Sequence, residues 1–257
     1  MPNKPLDLAG PRLVILDMLG ALVAHDDSVR GAISAAFQAH GESVDPEVAG
    51  MALGYPGIEG IVRIVRWLHP REEPHLQSCQ SIHDLAVKEL ARLVRFGGGI
   101  HVVGGVENMC QTWIASGRRV AASTTLHPDI VKPLMARMGW DVHPPFEALV
   151  LAEEVQDPTP GPGLILECMR RTGVLEVSQV AKVANSAVGL SDAKRLECGW
   201  TVLLDSGGLT TDYIAALAPS AMIDQFSDLS MLWSGRRRDD TMEREIQEVL
   251  HRANARD

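Results

Sequence analysis

Asp17 closes the apolar run Leu13-Val14-Ile15-Leu16 and is followed by Met18-Leu19-Gly20-Ala21. Four apolar residues ending on an acid and then a glycine read as a buried parallel strand. Such a strand delivers its last side chain at its carboxyl end, where open α/β sheets bind ligands. A carboxylate held there between apolar neighbours suits a general acid or base, or a nucleophile toward carbon. It is the only carboxylate on a predicted core-strand end that suits such a role, and no better nucleophile–base pair is visible. His25, Asp26 and Asp27 follow at the strand exit and form a workable proton relay. A polar linker that caps the next helix explains them more simply. The glycines at 97–99 and 104–105 read as turns rather than phosphate cradles, because no Gly-Lys-Ser/Thr follows them.

The elements that position Asp17 follow from the pattern around it. Apolar runs of strand type recur at 119–123, 148–151, 179–184 and 201–204, with helical patterns between several of them. That alternation predicts a parallel sheet with crossover helices. Residues 28–98 break the rhythm and read as helices alone, over 28–40, 45–53, 57–68 and 75–95. Ser28 is the expected N-cap of the first and Gly41 its stop. Asp45 is the expected N-cap of the second, with Pro46 at the first helical position. Trp67, His69 and His75 fall in this region, where tryptophan at helical spacing reads as core. Phe96-Gly97-Gly98-Gly99-Ile100 reads as a hinge back to the sheet. The expected organisation is a Rossmann-like core from residues 1–24 and 100–257, with an all-helical cap from 25–99 over the carboxyl ends of the strands. Arg236-Arg237-Arg238-Asp239-Asp240 starts a charged tail, with a solvated helix expected over 241–253.

Composition excludes several classes of function. The 257 residues suffice for one sizeable core and a subdomain. The net charge of −9 argues against a nucleic-acid partner held by phosphate contacts. The first residues lack an apolar signal core and no run of 18 apolar residues occurs, so a cytoplasmic chain with no membrane partner is expected. Cys79, Cys110, Cys168 and Cys198 form no CxxC and read as free, mostly buried thiols.

Several segments, in order along the chain, carry a family likeness. They are Asp17-Met18-Leu19-Gly20-Ala21-Leu22-Val23, the stretch 51–65, Val120-Ala121-Ala122-Ser123-Thr124, Pro160-Gly161-Pro162-Gly163-Leu164-Ile165, Gly199-Trp200-Thr201-Val202 and Gly208-Leu209-Thr210. Together they resemble the haloacid dehalogenase superfamily, and within it the phosphonatase and phosphonatase-like hydrolases. The resemblance implies a C1-type cap and an attacking Asp17, with the Thr124 hydroxyl orienting a ligand oxygen. It places Tyr55 in the cap's substrate-specificity loop, where Gly54, Pro56 and Gly57 would turn its ring over Asp17. It sets His127 at a substrate-facing site, Asn185 at the first acid of the fourth motif, and Leu19 at the second acid of the first. Leu19, Tyr55, His127 and Asn185 are therefore the expected substrate contacts.

The departures from that pattern are chemical. The cap lysine that forms an imine in phosphonoacetaldehyde hydrolase falls at Gly57, which has no amine. The third-motif basic residue falls near Thr159, leaving Asp17 without an evident basic partner. The second acid of the fourth motif falls near Gly189, with Asp192 as the nearest replacement. Asp17, a carbonyl, Asn185 and Asp192 make a poor Mg²⁺ set, so no metal or other cofactor is expected, with Mg²⁺ bound weakly at most. The expected function is metal-independent chemistry on a small organic molecule through Asp17. The alternatives are a catalytically silent binding or regulatory partner, and a residual hydrolase of phosphatase, phosphonatase or dehalogenase type. The dehalogenase branch also attacks without metal but keeps a third-motif lysine, and Asn185-Ser186 echoes its fourth motif. A working enzyme should show a cleft where Asp17, Thr124 and a histidine converge, and a silent one a filled cleft. A homodimer is expected through the first cap helix, with Ala32, Ile33, Ala35, Ala36 and Phe37 as the pairing face.

Overall fold

The computed structural model describes residues 10–204, 214 and 217–233. The segment 208–210 and the helix expected over 241–253 lie outside the described residues. Strand β1 (Leu13–Asp17) lies in a six-stranded sheet. Its companions are β4 (Arg119–Thr124), β5 (Ala148–Leu151), β6 (Val180–Ala184), β7 (Trp200–Leu204) and β8 (Ala221–Ile223). The order is β5-β4-β1-β6-β7-β8, and every pairing is parallel. The alternation of strand side chains divides β1 between two layers. Val14 and Leu16 join one core cluster, with Trp113 and Trp140. Leu13 and Ile15 join the other, against Leu164, Ile165 and Cys168. A strand covered on both faces is continuously apolar because each face is buried, at roughly 1.5–3 kcal/mol per large side chain.

The flanking helices are α5 (Val106–Ala115), α6 (Pro128–Met138), α7 (Gly163–Thr172), α8 (Ala187–Arg195) and α9 (Ser227–Leu232). The architecture is thus a Rossmann-like α/β core carrying a helical cap. The cap enters and leaves through a short antiparallel pair, β2 (Val23–His25) with β3 (Ile100–Val102). Between them the chain is helical: α1 (Ser28–Gln38), α2 (Pro46–Gly50), α3 (Glu59–Leu68) and α4 (Leu76–Phe96). A 3-10 turn, Met51–Gly54, follows α2 directly. No helix among the described residues is long and apolar enough to cross a membrane.

Local chemistry explains these boundaries. Asp45 caps α2, its carboxylate accepting from the Glu47 N–H at 2.8 Å, and Pro46 occupies the first helical position. Ser28, expected as a cap, is instead the first residue of α1. The Asp26 carboxylate accepts its N–H at 3.0 Å, one residue outside the Asp27 cap position. Hydrogen bonds from the Ser28 hydroxyl and then its N–H hold the Asp26 carboxyl below its ordinary range. The return at 97–99 is fastened from the core. Arg137 on α6 donates to the carbonyls of Val94, Gly97 and Ile100 at 2.8, 2.8 and 3.2 Å. Gly99 is required there, because a Cβ would meet the Asp26 carboxylate at 1.9 Å.

Part of the pairing face expected for a dimer packs inside the cap. Ile33, Ala36 and Phe37 are buried in the core cluster with Ile82, Ala86 and Leu90 of α4. Ala32 is half-buried and Ala35 exposed. The thiols follow expectation: Cys79, Cys110 and Cys168 are buried, Cys198 is half-buried, and all four are free.

Candidate active site

Asp17 stands at the end of β1, level with Ser123 on β4. The Ser123 hydroxyl donates to Asp17 Oδ1 at 3.3 Å. The residue that the sequence reasoning missed is Lys182 in β6. It lies beside Ile15, two residues below Asp17 along the sheet. Two residues of strand span roughly 7 Å, which a lysine stem covers. Its ammonium donates to Asp17 Oδ1 and, at 2.6 Å, to the Ser123 hydroxyl. Asp17 is therefore paired, which corrects the expectation drawn from Thr159. The Asp17 side chain is 20% exposed and that of Lys182 only 3%. Lys182 was legible in one respect: it is the sole charge in Val-Ala-Lys-Val-Ala, a strand buried throughout, and a charge so placed demands a partner.

The other oxygen, Oδ2, accepts no hydrogen bond among the described residues. It lies toward Gly189, where a Cβ would stand 2.8 Å from it. A side chain at the position aligned with the missing acid would have to displace the Asp17 carboxylate. Gly20 has φ +97, and a Cβ on it would fall 1.9 Å from Asn185 Oδ1. The Asn185 amide thus lies flat across the Gly20 backbone. The turn between them is set by Leu22 N–H to Asp17 O at 3.0 Å and Gly20 N–H to Val23 O at 2.7 Å.

Asp17, Leu19, Tyr55, Thr124 and Asn185 all border one cavity of about 620 Å³, which also takes in Lys182 and His25. It lies between the strand ends and the cap, and it is not filled. The Thr124 hydroxyl accepts from the Leu126 N–H at 3.1 Å, shaping the turn after β4. The neighbouring Thr125 donates to the Leu53 carbonyl of the cap at 3.1 Å. Tyr55 sits at the end of the 3-10 turn, with the Arg63 guanidinium 4.2 Å over its ring. His127 is outside the cavity lining. Its Nδ1 accepts from the Asp129 N–H at 3.2 Å at the start of α6, and its ring meets His83 edge-on at 6.1 Å. Trp67 is exposed, His69 meets Glu42 at 3.0 Å, and His75 begins α4. None of these three borders the cavity.

The acidic donors near Asp17 are few and partly engaged. Asp192 is buried and committed: Oδ2 accepts from Thr159 Oγ1 at 2.6 Å, and Oδ1 pairs with Arg195. Among the described residues no three His, Cys, Asp or Glu side chains group to hold a metal. Lys182 already supplies a positive charge at Asp17. The thiols offer no competing nucleophile, since burial pushes Cys110, Cys168 and Cys198 up to about 12.

The sequence matches no family model and no curated protein. Solved structures do share its fold. A phosphonoacetaldehyde hydrolase-like protein from Oleispira antarctica is 20% identical, with 95% of this chain and 97% of that chain covered at a TM-score of 0.70. A hydrolase from Pseudomonas syringae is 15% identical, covering 83% and 94% with a TM-score of 0.71. CbbY from Rhodobacter sphaeroides, solved in complex with phosphate, is 20% identical over 85% and 96%, with a TM-score of 0.68. The fold is that of the haloacid dehalogenase-like hydrolases.

Proposed function

We propose that this chain is a haloacid dehalogenase-superfamily hydrolase that works without a divalent metal, through an ester formed on Asp17. The observation that carries it is the Asp17–Lys182–Ser123 cluster beneath an open cavity. Lys182 and Ser123 fix Oδ1 and leave Oδ2 as the attacking oxygen. Oδ2 bonds to a substrate carbon as the leaving group departs with its electron pair. Water then adds to the Asp17 carboxyl carbon. The alcohol is released, the carboxylate returns, and one proton passes to solvent. Carbon is favoured over phosphorus because a phosphoryl transition state spreads charge over three oxygens and needs more neutralisation than one lysine gives. Leu19, Tyr55, Thr124 and Asn185 line the substrate space in this reading. An open cavity also disfavours a silent partner, whose cleft has no reason to remain empty.

The test is turnover in ¹⁸O-water with short organic halides and sulfonate esters, beside p-nitrophenyl phosphate. Repeated turnover should place ¹⁸O in the Asp17 peptide by mass spectrometry, with activity unchanged by a chelator. Labelled product with an unlabelled Asp17, or activity lost to the chelator, would refute the mechanism.

A further inference from the structure

The charges in the cavity wall cancel in pairs, except at the cap end. Asp17 is paired with Lys182, and Asp192 with Arg195. Arg30 of α1 and Glu47 of α2 also border the cavity. They form no ion pair or hydrogen bond with each other. The only ionic partner of Arg30 among the described residues is Asp27, at 3.6 Å and with its side chain 91% exposed. The guanidinium makes no hydrogen bond there, so its donors are free for a ligand. Its stem is seated, however. A Cβ on Gly50 would meet Arg30 Nε at 3.3 Å and Cδ at 3.4 Å, so the side chain runs across a groove that glycine leaves open. Glu47 is three residues before Gly50 and lies on the same face of α2. A fixed cation and an acid thus share one patch of the wall, each without a strong partner.

We infer that this patch binds a zwitterionic head group, so that the substrate is a small amino acid-type molecule. Its carboxylate lies against Arg30 and its ammonium against Glu47. The substrate's reacting carbon extends toward Asp17. This rests on the proposed activity for its orientation, but binding can be read without turnover. A guanidinium–carboxylate contact is charge-assisted and planar, and it dominates the recognition. Glu47 is exposed at the rim and adds less.

The experiment is isothermal titration of the wild type and Asp17→Asn with L-alanine, L-norvaline and L-norleucine. Pentanoate and pentylamine serve as single-charge controls, and inorganic phosphate as a dianion. The amino acids should bind both proteins, more tightly than either control. Arg30→Gln should weaken that binding on the order of tenfold to a hundredfold. Glu47→Gln should weaken it about twofold to fivefold. Arg30→Lys, which keeps the charge but not the fork, should fall between wild type and Arg30→Gln. Unchanged thermal midpoints will show that the Arg30 and Glu47 variants are folded, and Asp17→Asn is titrated well below its own, lower midpoint. The inference is overturned if pentanoate binds as well as norvaline, if phosphate is preferred, if Arg30→Gln binds normally, or if no amino acid gives a saturable heat. Amino-acid binding that persists while the ¹⁸O experiment fails would keep the head-group site and remove only the ester mechanism.

Discussion

Lys182→Met tests the pairing at the carboxyl end of the central strands most directly. The wild-type ammonium is almost fully buried and is held by Asp17 and Ser123. Removing one partner of a buried ion pair costs about 3–5 kcal/mol, because the remaining charge stays desolvated. In Lys182→Met the survivor is Asp17, which the cavity leaves 20% exposed, so the cost belongs at the low end, about 3 kcal/mol. In Asp17→Asn the survivor is Lys182, at 3% exposure and with only Ser123 left, so the cost belongs at the high end, about 5 kcal/mol. Asp17→Asn with Lys182→Met removes both charges and should fall short of the sum by roughly 2–4 kcal/mol. Urea unfolding followed by tryptophan fluorescence reads this, since Trp113, Trp140, Trp200 and Trp233 are all buried. Single costs below about 1 kcal/mol, or additivity within about 0.5 kcal/mol, would show that the two side chains are not an energetic unit. The cycle also bears on the activity assay. A dead Asp17→Asn protein is informative only where it is still folded, so its turnover must be measured well below its own midpoint.

Two further outcomes follow from the same geometry. Gly20→Ala forces a side chain to φ +97 and into the Asn185 amide at 1.9 Å, and it should lower the thermal midpoint by about 4–8 °C. Gly98→Ala, where nothing lies within 4 Å, should leave the midpoint in place, and equal shifts in the two variants would count against the Asn185 placement. Hydrogen bonds from Arg170 and Arg171 lower the Glu167 carboxyl from 4.5 to about 2. Because the folded value is depressed, its contribution is complete above pH 4.5 and is lost as pH falls toward 2. Urea midpoints of Glu167→Gln should vary less than wild type across that window, and parallel pH profiles would contradict the assignment.

The fold was legible because burial writes a periodic signal. The run at 13–16 and the strands near 119, 148, 180 and 201 appear within a residue or so of their expected places. The four cap helices also appear, although the second gives way to a 3-10 turn at Met51. The pair β2 and β3 left no signal, since three residues are too few for alternation to register. The site was less legible for a different reason. The family pattern puts the basic partner of Asp17 at a linear position, near Thr159, whereas pairing depends on register across strands. Lys182 reaches Asp17 from a neighbouring strand. Ser123 was overlooked beside Thr124 because the sequence does not say which of two adjacent hydroxyls faces Asp17 and which shapes the turn.

The attachment of the cap is unequal on its two sides. On the return side, Arg137 holds three carbonyls, each contact to a charged donor contributing about 1.5–3 kcal/mol. On the other side, the 3-10 turn meets the core through one neutral hydrogen bond from Thr125 to Leu53, of about 1 kcal/mol, where Val188 leaves little room for a Cβ on Gly54. The weaker fastening yields first. The segment Met51–Tyr55 is then the part of the cap whose amides should exchange first with solvent, while the body of the cap stays protected. The unequal attachment also lets the residues that choose the ligand change without re-engineering the joint that carries them.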